Sequence, residues 1–214
     1  MTSPSLTANT PTVATPEEGN KDSTLHHLLT SALFTVVSVI LFGIIYPLGM
    51  TGIGMLAFPN QAGGSLVRVG GKLVGSDIIG QLWTQPQYFA GRPSAAGKNG
   101  YDPTATSGTN LGPTSKKLIK ATGDAIKALR KANPAAALPV PMDLVTSSGS
   151  GIDPDISPEA AFYQALRVAQ TRHMSLATVD AIINTHVHGR ELGFLGEPHV
   201  NVLELNLALD GKRS

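Results

Sequence analysis

A window without formal charge constrains this chain more than any other feature. Between Ser23 and Val67 there is no Asp, Glu, Lys or Arg. Inside it, Leu28–Leu48 reads LLTSALFTVVSVILFGIIYPL and is nearly all apolar. Wound as an α-helix this stretch is about 31 Å long, matching the roughly 30 Å hydrocarbon core of a bilayer. A cleaved signal peptide would have a basic start and a shorter apolar region. Here Glu17, Glu18 and Asp22 outweigh Lys21 ahead of the run. A buried core helix seldom runs so far without a charge. Residues 25–50 therefore read as one transmembrane helix. Tyr46 suits the headgroup level, and Pro47 is expected to kink or finish the helix. The apolar but turn-rich TGIGMLAFPNQAGG that follows reads as a membrane-proximal linker over 51–64.

Orientation follows from the flanking charges. Lys21 precedes the run and Arg68 is the first charge beyond it. The positive-inside rule then puts the N-terminus in the cytoplasm and everything after Leu48 outside it. The chain as a whole is 42% hydrophobic and only 14% charged, against the roughly 25% usual for soluble domains. Sixteen basic residues against 15 acidic ones leave +1, so no global field recruits nucleic acid. Cysteine is absent, which excludes disulfides, thiolate metal sites, a cysteine nucleophile and palmitoylation. With 23 Gly and 15 Pro, a pure helical bundle is disfavoured.

Residues 1–24, rich in Thr, Ser, Pro and Asn, read as a disordered tail. Residues 65–214 have globular composition. Ser65–Val69 predicts a short strand turning at Gly70–Gly71. Thr114 or Ser115 caps a helix reaching about Lys131, with Leu118, Ile119, Ile126 and Leu129 at helical spacing. Ser157–Pro158–Glu159 is a helix start, and Ser175 opens another helix to about His186. In VNVLELNLAL, leucines 203, 205, 207 and 209 alternate, which predicts a half-buried strand. The expected fold is a single N-terminal transmembrane helix followed by a small α+β extracytoplasmic domain.

Candidate chemistry is sparse. His186, His188, Glu191 and His199 are metal-ligand types, but i and i+2 diverge on a helix, and no metal site is expected. Gly91–Asn99 is one residue too long for a phosphate loop and lacks the hydroxyl after Lys98. Thr122–Gly123–Asp124 lies inside the amphipathic helix, and the glycine-rich Ser147–Gly151 reads as a loop ahead of the Ser157 cap rather than an anion cradle. There is no nucleophile elbow and no S-x-x-K, so no catalytic residue is expected. The six basic residues of Lys116–Lys131 read as a solvated helix face.

Phe89–Pro113 is different: a long stretch with no periodicity, anchored by Trp83, Tyr88, Phe89, Arg92 and Tyr101. Long irregular segments in compact domains are usually functional or disordered. With those anchors it reads as an ordered surface loop that contacts a partner. Its docking candidates, with the neighbouring strand, are Gln81, Tyr88, Arg92, Ser94 and Asn110, for which turn stabilisation is the competing role.

These stretches also carry a family likeness. GSDIIGQLWTQPQYFAGRPSAAG, YDPTATSGTNLGP, VPMDLVTSSGSGIDPDISPEAA and GEPHVNVLELNLALD, in that order, resemble the C subunit of the Kdp potassium-transporting ATPase. So does the span ending in Tyr46–Pro47 and Thr51–Gly52. The resemblance covers about residues 28–210. It implies an accessory, noncatalytic inner-membrane subunit of an ATP-driven potassium importer. The implied partners are a channel-like potassium-binding subunit, a P-type ATPase subunit and a small stabilising peptide. ATP and potassium would be handled by that complex, with no cofactor held by this chain. The family subunit is needed for assembly and is described as a catalytic chaperone that raises ATP affinity of the hydrolysing subunit. From an extracytoplasmic domain that effect would have to be allosteric, because a bilayer intervenes. Two alternatives belong to other classes: a membrane-tethered extracytoplasmic hydrolase, and a single-span sensor disfavoured by the lack of a signalling domain ahead of the span.

Overall fold

A computed structural model describes residues 21–211, which form two compact units that meet in sequence at Phe58 and Pro59. The tail expected over residues 1–24 lies outside the described residues as far as residue 20, and residues 21–24 are helical.

The first unit is one long helical rod. It comprises α1 (Lys21–Ile40), a π-helical turn (Leu41–Ile45) and α2 (Tyr46–Ala57). Thr24–Ala57 is long and apolar enough to cross a membrane, with none of its most apolar window buried within the protein. Pro47, expected to kink or finish the helix, does not finish it. Proline has no N–H to give to the preceding turn, and the chain answers by widening just before it. The Tyr46 N–H bonds the carbonyl of Leu41 rather than that of Phe42, the register of a π turn. Thr51, expected in a linker, is helical too, and its hydroxyl donates to Pro47 O at 2.8 Å. Thr35 does the same to Ser31 O at 2.8 Å. A hydroxyl that bonds its own backbone carries no unsatisfied donor into an apolar medium.

The second unit opens with the short α3 (Pro59–Ala62) and a hairpin of β1 (Leu66–Val69) and β2 (Lys72–Ser76). Gly70 and Gly71 have φ of 56° and 79°. Positive φ at both central residues is what a two-residue hairpin turn requires, hence two glycines. No helix or strand then occurs until α4 (Lys116–Ala132). There follow β3 (Asp155–Ile156), α5 (Pro158–Arg172), α6 (Leu176–Thr185), β4 (Val187–His188), β5 (His199–Asn201) and α7 (Val202–Leu209). Strands β3, β5 and β4 make a small antiparallel sheet in that order. The unit is thus a small assembly of helices with short antiparallel sheets.

The helix starts read from the sequence are in place. Ser157 and Ser175 accept bonds from the amides of Ala160 and Thr178, and Ser115 precedes α4 without a side-chain cap.

The strand predicted for VNVLELNLAL is corrected: only His199–Asn201 is extended, and Val202–Leu209 is helical. Asn201 makes the change, its Oδ1 accepting from the amides of Leu203 and Glu204 at 3.1 and 3.2 Å, an N-cap. The alternation misleads because α7 is buried on two faces. Val202, Leu205 and Leu209 enter the main core with α5, α6 and β5, while Leu203 and Leu207 pack with Val67 of β1. A helix apolar nearly all round is a buried one.

A loop stapled by buried amides

The segment from Gln81 to Pro113 has no ladder of its own, so the buried backbone groups that its turns leave open must be satisfied by side chains from elsewhere. Two fully buried amides do this. Asn206 of α7, wholly buried, accepts from Phe89 N at 2.9 Å and donates to Phe89 O at 3.0 Å. Gln164 of α5 accepts from Ala90 N at 2.9 Å and donates to Ala90 O at 3.2 Å. Each carboxamide thus mimics the edge of a strand, and Phe89 is driven fully into the core. Arginines of α5 complete the clamp. Arg167 donates to the carbonyls of Pro86 and Tyr88. Arg172 donates to Gln87 O at 2.7 Å and pairs with Asp210 at 2.8 Å, its guanidinium lying 4.9 Å from the Tyr88 ring centre.

The candidate docking residues sit within this framework. Tyr88 donates its hydroxyl to Asp210 at 3.1 Å and its ring packs on Trp83 with centroids 4.8 Å apart. Gln81 donates to Val74 O at 2.9 Å, tying the loop to β2. Arg92 pairs with Asp153 at 3.1 Å, the two side chains 26% and 28% exposed. Ser94 Oγ donates to Gly151 O and accepts from the amides of Ala96 and Tyr101. Asn110, exposed, has φ of 51°, a conformation asparagine tolerates better than most residues. Four of the five thus hold the loop's shape, and Asn110 presents itself to solvent.

Tyr101 anchors the far side, donating to Arg92 O at 2.6 Å. Its phenol is pushed up to about 12, chiefly by burial and further by the Asp153 carboxylate, against the pull of Arg92. An unfolded phenol releases its proton near 10.0, so the folded state binds more protons in that window and loses stability as pH rises from 10.0 toward about 12. Urea midpoints measured across this range should fall more steeply for the wild type than for Tyr101→Phe. At neutral pH the variant should lose about 1 kcal/mol with its hydrogen bond.

The remaining sequence candidates resolve into structural roles. Gly91–Asn99 runs into irregular chain, not a helix. Asp124 of the Thr122–Asp124 triplet is paired with Lys120 on the exposed face of α4. In Ser147–Gly151 the Gly151 amide donates to Ser148 Oγ, and Ser150 Oγ takes the amide of Ile152. His188 is brought to His199, rings stacked with centroids 5.3 Å apart, and lies 3.3 Å from Glu204. His186 instead bonds Ile182 O at the end of α6. Among the described residues no cluster of three or more His, Cys, Asp or Glu is placed to hold a metal ion.

One surface escaped the sequence reading. Between β4 and β5, Glu191 and Leu195 exchange backbone bonds of 2.9 Å in both directions, closing a tight turn. Its tip thrusts Leu192 and Phe194 into solvent at 81% and 68% exposure. The Gly-Phe-Leu-Gly sequence there was the available signal, since glycines flank apolar residues with no periodic partner.

An apolar helix of membrane-spanning length, the one such helix among the described residues, joined to a small unit whose longest loop is stapled into one shape, defines a class: proteins with a spanning-length apolar helix and a compact appended domain. The comparisons specify which. The family model KdpC, described as K+-transporting ATPase, c chain, matches residues 28–211. The Potassium-transporting ATPase KdpC subunit of Methylococcus capsulatus is 49% identical, over 88% of this chain and 100% of its own length. That of Sorangium cellulosum is 52% identical over the same shares, and that of Herminiimonas arsenicoxydans 53% identical over 83% and 93%. The chain belongs to the KdpC family.

Proposed function

We propose that this chain is the accessory KdpC subunit of an ATP-driven potassium import complex, anchored by its single span and without catalysis of its own. Along the chain, residues 1–24 precede the span, 25–50 cross the membrane, 51–64 stay close to it and 65–214 form the domain. The N-terminus is cytoplasmic and the domain lies outside the plasma membrane. The subunit works by docking on the channel-like subunit, alongside the P-type ATPase subunit and a small stabilising peptide, and any rise in ATP affinity is transmitted allosterically. The observation that carries this reading is the family match running from the apolar helix through α7.

Three features of the domain support a gripping role. The loop's backbone is spent on internal ties, which fixes a surface in advance and lowers the entropy cost of docking. The exposed turn at Leu192 and Phe194 offers apolar side chains of the kind that mark interaction sites. The side chains of His186, His188 and His199 bond Thr185, Ile182, Glu204 and Glu197 within the domain, which braces the strands that carry that turn.

The test is made in the assembled complex. Arg92→Ala combined with Tyr88→Ala, and separately Asn110→Asp, should reduce copurification and potassium-stimulated ATPase activity. Hot-spot side chains are worth about 1 kcal/mol or more each. Asn110→Asp leaves every internal tie in place, so its effect isolates docking from loop collapse. Retention and activity at wild-type level in both variants would remove the loop from the interface.

A further inference from the structure

A cavity of about 450 Å³ opens between the end of α4, the face of α5 and the Trp83–Tyr88 segment. Clefts of about 300–1,000 Å³ with apolar walls and a few polar groups are where small molecules bind. Its walls include Leu129, Ala136, Leu166 and Trp83, and of all the residues lining it only Arg167 carries a formal charge.

Arg167 is unlike the other clamping arginines. Arg92, Arg172 and Arg190 each face a carboxylate. The acceptors around Arg167 are all neutral: Asn133 Oδ1 at 3.0 Å from Nε, the carbonyls of Pro86 and Tyr88 on Nη1, and Gln164 Oε1 at 2.9 Å from Nη2. A guanidinium has five N–H donors, so one Nη2 hydrogen is left over. Burial alone pushes the Arg167 guanidinium down, with no carboxylate acting on it. Trp83 also lines the cavity, and its indole N–H is buried without an acceptor beneath that wall. The site therefore offers a partly desolvated positive charge and a spare guanidinium N–H, with no acid among its lining residues. That is the complement of an anion.

We propose that this cavity binds a small organic acid, its apolar body against the Leu129–Leu166 wall and its carboxylate on the spare N–H of Arg167. The site shares Tyr88 with the docking candidates but does not depend on the subunit assignment.

Trp83 is the chain's one tryptophan, so it reports on the cavity without any activity assay. In the full chain in mild detergent, titration with benzoate should give a saturable change in tryptophan fluorescence. Benzamide, the neutral isostere, and inorganic phosphate should not. Arg167→Gln should weaken benzoate binding about tenfold or more, the usual worth of a charge-assisted bond. Ala135→Phe, at an exposed rim position, should fill the cavity and abolish the response with an unchanged circular dichroism spectrum. This second variant decides the matter if Arg167→Gln loosens the clamp. No saturable response to benzoate, an equal response to benzamide or phosphate, or wild-type affinity in Ala135→Phe would each overturn the proposal.

Discussion

Asn206→Leu is expected to lower the free energy of unfolding by about 3 kcal/mol, although leucine has the same branched outline of side-chain heavy atoms as asparagine. The reason is the partner it abandons. The N–H and C=O of Phe89 both bond the Asn206 carboxamide, and both residues are fully buried. An apolar side chain leaves two backbone groups without water and without partners, at about 1–3 kcal/mol each. Urea unfolding reads the loss as a lower midpoint at unchanged slope. Hydrogen exchange gives the local signature, since the Phe89 amide should exchange far faster than the amides of α5. A shift under about 1 kcal/mol, with the Phe89 amide still protected, would mean the loop does not need its staple. Gln164→Leu tests the neighbouring pair at Ala90 by the same logic.

Gly151→Ala should be at least as damaging. Gly151 has φ of 72°, and a Cβ there would lie 2.5 Å from Ser107 O and 2.8 Å from Ala96 N. Those are backbone atoms of the long loop, which cannot swing aside as a side-chain tip can. A left-handed conformation costs a non-glycine residue about 1 kcal/mol, and separating the packed segments adds to it, for a total of about 3 kcal/mol or more. Gly149→Ala, two residues away, is the matched control. Nothing lies within 4 Å of its added Cβ, so its stability should stay within about 0.5 kcal/mol of wild type. Equal effects at the two positions would show that the contact between Ser147–Gly151 and the loop contributes little. The result bears on function as well, because Gly151 O is the acceptor for Ser94, one of the proposed docking residues.

These positions show what a linear reading reaches. Ser157 and Ser175 declare their helices through local chemistry, a hydroxyl ahead of the amides it caps, and both are found in use. The anchors of the long loop were legible as anchors because aromatic residues in a Gly- and Pro-rich stretch need somewhere to pack. Their partners were not legible. Phe89 and Asn206 lie far apart in the chain, and nothing near either residue signals the other. Arg167 and Arg172 carry no local signal of their partners, and only the fold turns them onto the Pro86–Tyr88 carbonyls.

By itself the sequence determined a helix of membrane-spanning length, from a charge-free apolar run, and the family, from long blocks in a fixed order. These depend on transfer free energy and on local identity, which need no neighbours. Only the tertiary structure decided that Val202–Leu209 winds into a helix, that Pro47 is absorbed by a π turn, and that the loop is held by buried amides. An alternating pattern fits a strand with one buried face or a helix buried on two. Which of these forms depends on what packs against it, and here β1 and α5 supply a wall on either side of α7.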